Sequence, residues 1–158
     1  MTADELLQHL GQSMGMAQVR LDDFGCARLM FDGALAVNLE YDGERDALHL
    51  YSEVGRLPAQ MREAFLMRLL QANLFCAHTL GATLAVDSLN EAVVLCRCVQ
   101  PQQLTVALFA DIVQDFVAAV EQWTQTLQTG LLNASQSGDP ALEQGPGDAM
   151  SSHMLVRG

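Results

Sequence analysis

The residues best equipped for chemistry are Cys26, His49, Cys76-Ala-His78 and Cys96-Arg-Cys98. Thiolate and imidazole are the usual ligands of zinc, and Cys76, His78, Cys96 and Cys98 would make up the four that a structural site needs. The spacing argues against it. Cys96 and Cys98 lie two apart in a strand-like run, so they share a face but lack the two-residue loop of a zinc knuckle. A nucleophilic pair, such as Cys76 or Cys98 with His78 or His49, would need a third group to orient the base, and residue type alone supplies none. All four cysteines sit in apolar contexts and read as small core or interface residues rather than a disulfide framework. His9 falls on the polar side of a helix, and His153 carries no chemical reading.

The carboxylates give no better site. Glu40, Asp42, Glu44 and Asp46 cluster, but without the D-x-D-x-D-G…E order of a calcium loop, and a charged hairpin tip accounts for them. All eight basic residues are Arg, so no P-loop lysine exists, and there is no G-x-G-x-x-G. The expectation is a protein with no catalytic residues, no metal and no cofactor.

Composition narrows the partners. Nineteen acids against eight Arg give a net charge of −11, which repels phosphate backbones and argues against nucleic-acid binding. With half of its 158 residues hydrophobic, the chain can bury a real core in one domain. No apolar run approaches the roughly 18 residues of a membrane span. The opening Met1-Thr-Ala-Asp-Glu is acidic where an export signal would be basic, so a cytoplasmic protein is expected.

The elements that must position any site follow from hydrophobic periodicity. Leu6, Leu7, Leu10 and Met14 recur at helical spacing over Thr2–Met16, and Thr2 with Glu5 fits a capping box. Three strands follow: Ala27–Phe31, Ala34–Tyr41 and Ala47–Val54, the first two joined by the hairpin signal Asp32-Gly33. Leu35, Val37, Leu39 and Tyr41 share one face of the second strand. A helix is expected from Pro58 to about Thr79, with Gly81 just beyond its end. Strands Ala82–Val86 and Ala92–Val99 come next, then a long helix over Gln102–Leu127 with a stripe at Phe109, Ile112, Phe116, Val120, Trp123 and Leu127. From Gln128 the chain turns Gly-, Pro- and Ser-rich without periodicity, so 128–158 reads as a disordered tail on a 1–127 domain. The fold class is therefore α+β: an antiparallel sheet with flanking helices in the order α-β-β-β-α-β-β-α.

Residues 73–95 carry almost no charge on any face. The helix around Leu69–Ala77 is apolar nearly all round, and both following strands are apolar on both faces, so a subunit interface is expected there. Leu70, Leu74, Leu84, Val86, Val94 and Cys96 are its candidate residues. A second surface is expected on the first helix and first sheet, where an extended peptide could join an open edge. Its candidates are Leu6, Leu10, Met14, Leu29, Phe31, Leu35, Val37 and Leu39.

The element order resembles that of the class I type III secretion chaperones, the Tir-chaperone family. The likeness rests on Phe31-Asp32-Gly33, Val37-Asn-Leu-Glu-Tyr-Asp42, Leu69-Leu70-Gln-Ala-Asn73, Gly81-Ala-Thr-Leu-Ala-Val-Asp87 and Val93-Val94-Leu95. The resemblance implies a non-enzymatic homodimer that binds the N-terminal segment of a secreted effector or regulatory protein in extended form. It would place the dimer contact in 69–98 and the effector grooves on the first helix and first three strands. A small adaptor for a folded protein, and a thiol or metal enzyme, are the competing readings.

Overall fold

The computed structural model describes residues 1–16 and 18–133. Its order is α1 (Ala3–Ser13), β1 (Cys26–Phe31), β2 (Leu35–Asp42), β3 (Ala47–Arg56), α2 (Arg62–Asn73), β4 (Thr83–Asp87), β5 (Ala92–Val99) and α3 (Val106–Asn133). The expected element order and α+β class stand. All strand pairs are antiparallel, in the spatial order β1-β2-β3-β5-β4, which leaves β1 and β4 as the two edges.

Local signals account for most of these elements. Thr2 Oγ1 accepts from Glu5 N–H while Glu5 accepts from Thr2 N–H, so two amides of α1 that lack helical partners are satisfied. Asp32 and Gly33 take φ of 48° and 71°, and Ala34 N–H donates to Phe31 O at 3.1 Å. This is the mirror-image turn whose twist matches that of the strands. Leu108 N–H donates to Thr105 Oγ1 at the start of α3.

Residues directly opposite each other across a strand pair share a face, so register sorts the sheet. Leu29, Val37, Leu39, Leu48, Leu50 and Leu95 all point one way and are buried. Leu6, Leu7 and Leu10 of α1 and Phe109, Ile112, Phe116 and Val120 of α3 complete the same core. Each such side chain removed from water contributes about 1.5–3 kcal/mol. A bulge at Glu53–Gly55 bends β3, and a Cβ on Gly55 would meet Leu127 Cδ1 at 2.8 Å. The missing side chain lets α3 lie close against the sheet. The opposite face, with Met30, Glu40, Glu53 and Cys98, remains exposed.

Two helices differ from the expectation at both ends. The second helix spans Arg62–Asn73 rather than Pro58–Thr79. Leu74 turns extended after Asn73, and Phe75 and Cys76 both have positive φ, so the short 3-10 turn at Leu74–Cys76 does not continue the helix. The last helix starts at Val106 and continues to Asn133, so residues 128–133 are helical rather than disordered. The remainder of the expected tail, 134–158, lies outside the described residues.

Candidate functional site

Two surfaces stand out, and they expose different chemistry. The first is the β1 edge with the hairpin beside it. In an antiparallel pair, alternate residues of an edge strand turn both N–H and C=O away from the partner. Cys26 does so, and both of its groups are taken: its N–H by Asp22 Oδ1 at 2.8 Å and its C=O by Asp22 N–H at 2.7 Å. The same alternation turns Arg28 and Met30 outward. Next to them, a groove of about 720 Å³ opens between the β1–β2 hairpin and the C-terminal half of α3. Phe31, Leu35 and Val120 give it apolar walls, and Arg28, Asp32, Glu53 and Glu121 ring it with charge.

The second surface lies on α2 and β4. Leu69 and Ala72 of α2 are buried and Phe65 half-buried, while Leu66, Met67, Leu70 and Leu74 face outward. Leu70 is 63% exposed, Leu74 61% and Phe75 92%. Exposed apolar side chains at i, i+4 and i+8 form a stripe rather than scattered singles, the pattern of a helix that meets another protein. Val86 and Leu89 extend the exposed apolar area onto the β4–β5 hairpin.

The expected peptide-binding residues divide sharply. Leu6, Leu10, Leu29, Val37 and Leu39 are at most 2% exposed, belong to the core and do not line the groove. The reason is that α1 and α3 both pack on the sheet face that carries them. Phe31 and Leu35 line the groove, and Met14 is exposed at the C-cap of α1. Among the expected interface residues, Leu70, Leu74 and Val86 are exposed, but Leu84 is buried in the core. Val94 and Cys96 are half-buried on the other face of the sheet from Leu84 and Val86, so no single flat interface unites all six. Arg28, Met30, Leu66, Met67 and Phe75 belong to the surfaces yet were not among the expected residues. The 3.6-residue spacing of Leu66, Leu70 and Leu74 was the available signal.

Two of the four thiols are disfavoured as nucleophiles. Burial, then the nearby Asp22 and Glu40 carboxylates, push the Cys26 thiol up, and burial pushes up that of Cys96. Both shifts disfavour the nucleophilic thiolate. Cys76 and Cys98 are exposed, and all four cysteines are free. Among the described residues, no three His, Cys, Asp or Glu groups are arranged to hold a metal ion. No helix among them is long and apolar enough to cross a membrane.

An α+β sandwich with one open sheet edge beside a groove, and one apolar helix stripe, defines a protein equipped to meet other chains. The chain belongs to the Tir chaperone protein (CesT) family, whose model matches residues 5–124. A search of curated proteins finds no match. Solved structures share the fold. A chain of the ExsC–ExsE complex aligns at 24% identity and TM-score 0.67, over 80% of this chain and 97% of that one. A chain of the complex between the Yersinia pestis type III secretion chaperone SycH and a stable fragment of YscM2 aligns at 19% identity and TM-score 0.62, over 77% and 99%. YbjN, a putative transcription regulator from E. coli, aligns at 16% identity and TM-score 0.51, over 82% and 92%. The same architecture thus serves more than one role, and function has to be argued from the surfaces.

Proposed function

We propose that the protein is a non-enzymatic, cytoplasmic type III secretion chaperone. It acts as a homodimer that holds the N-terminal segment of a secreted effector or a regulatory protein in extended form. The observation that carries this reading is the outward-facing backbone of Arg28 and Met30 beside the groove walled by Phe31, Leu35 and Val120. An extended segment gains main-chain hydrogen bonds from the edge while its alternate side chains enter the groove. The ordering entropy lost by the bound segment offsets part of the burial, so binding stays reversible without nucleotide. Family membership and the chaperone complexes among the structural neighbours support the same reading.

The homodimer is supported by the stripe of Leu66, Leu70 and Leu74, continued by Phe75. A two-fold contact would set this stripe against the same stripe of a second copy, and apolar exposure of this kind is costly in a monomer.

Co-purification from the source bacterium, followed by limited proteolysis of the complex, tests the function. The expected result is a partner whose N-terminal segment is protease-protected but has no independent tertiary structure. A partner that stays folded, held over a small contact area, would instead make the protein an adaptor. Copurifying metal or a thiol that turns over substrate would overturn the non-enzymatic reading.

A further inference from the structure

The two edges of the sheet are finished differently, and one side chain makes the difference. Asn73, the last residue of α2, aims its carboxamide at the middle of β4. Its Nδ2 donates to Leu84 O at 3.0 Å, and its Oδ1 accepts from Leu84 N–H at 2.8 Å. The amide therefore makes the same donor–acceptor pair that the backbone of a sixth strand would make. On the strand's own N-terminal side, Ala82 N–H is taken by Thr79 O at 2.9 Å. At β1, by contrast, Arg28 and Met30 are consecutive outward-facing residues.

We infer that Asn73 is the positioning residue that gives the two edges separate tasks. It blocks the middle of β4 against an incoming strand, leaving Val86 as the single outward residue there without a partner, and pins the C-terminal end of α2, so that the α2 stripe and the Val86 side chain form one fixed apolar surface for a second copy of this chain. β1 is left as the edge a client peptide can join. This rests on the homodimer and edge-binding readings above.

Three features support the assignment. The helix stops at Asn73, although its apolar sequence continues through Ala77. The next turn holds Phe75 and Cys76 at φ of 54° and 53°, conformations that non-glycine residues adopt only where surrounding structure compels them. The bidentate contact is half-buried and spans 11 residues, so it fixes a tertiary relation rather than capping its own helix.

The test uses the full chain carrying Asn73→Ala, which removes both hydrogen bonds, and Asn73→Asp, which keeps the acceptor for Leu84 N–H but faces Leu84 O with a second acceptor. Amide exchange and sedimentation are read on each. In Asn73→Ala, the Leu84 amide should exchange about 10- to 100-fold faster, while Val93 and Leu95 amides keep wild-type protection. The dimer dissociation constant should rise about tenfold or more. Asn73→Asp should keep Leu84 N–H protected better than Asn73→Ala does, with the dimer weakened in between. Faster Leu84 exchange with an unchanged dimer constant would overturn the inference and leave the dimer standing. Uniform loss of protection across β3 and β5 would equally overturn it, reducing Asn73 to a general stability role. A wild-type chain that sediments as a monomer would instead remove the dimer reading itself.

Discussion

The β1 side and the α2–β4 side of this protein expose opposite halves of the polypeptide. At β1 the inner-face Leu29 is sealed into the core, Phe31 walls the groove, and the backbone of Arg28 and Met30 remains open. At α2–β4 the Leu84 backbone is satisfied by Asn73, and what remains open is mostly side chain: Leu70, Leu74 and Phe75. Open backbone accepts any extended segment and lets pockets choose among sequences. Open apolar side chains demand a complementary shape, which a second copy would provide in the homodimer proposed above. On that proposal one sheet would hold a variable client at one edge and a constant partner at the other.

The largest expected effect would expose a false boundary between core and interface. Leu84→Asp places an unpaired charge in the core and should cost about 4 kcal/mol of stability. Leu70→Asp, on the exposed side of α2, should change the stability of the single chain by less than about 0.5 kcal/mol yet abolish the proposed dimer at micromolar concentration. Urea unfolding and sedimentation read the two effects separately. Equal destabilisation by both would show that Leu70 is also core.

Next comes the backbone edge. Met30→Pro removes an outward N–H that β2 does not use, so the ladder should survive with circular dichroism unchanged. Client affinity should fall about tenfold, measured by titration calorimetry with the copurified segment. Unchanged affinity would move the client away from this edge.

A smaller effect tests the strained turn. Cys76→Gly relieves a φ of 53° at an exposed site and should raise stability by about 1 kcal/mol, visible as a higher Tm.

The smallest concerns the β4–β5 turn. Hydrogen bonds from the Asn90 carboxamide, and then from the Leu89 and Asn90 amides, hold the Asp87 carboxyl below its usual range. A depressed folded pKa contributes stability above the ordinary carboxylate value, and that contribution is lost as pH falls through the lower folded value. Asp87→Ala should therefore lower Tm slightly at pH 7, with the difference from wild type vanishing in strong acid.

Much of the architecture was legible because its signals are local. Thr2 and Glu5 sit three apart at a helix start, Asp32-Gly33 supplies a mirror-image turn, and the Phe109–Leu127 stripe repeats at helical period. The end of α2 was not legible. Nothing apolar stops at Asn73; the helix ends where a side chain meets Leu84, 11 residues further along the chain. Which candidate residues stay accessible was not legible for a related reason. Val37 and Phe31 look alike in the sequence, but Val37 is 0% exposed and Phe31 lines a groove.

By itself the sequence determined which residues are apolar, at what period, and in which order helices and strands follow. It also excluded phosphate-loop chemistry by lacking lysine. Only the tertiary structure decided which apolar faces become core. Periodicity names the residues that must leave water, whereas the packing of α1 and α3 on one sheet face selects which of them are covered by the chain itself. The residues left over, on α2 and at the β1 edge, are the ones available to other chains.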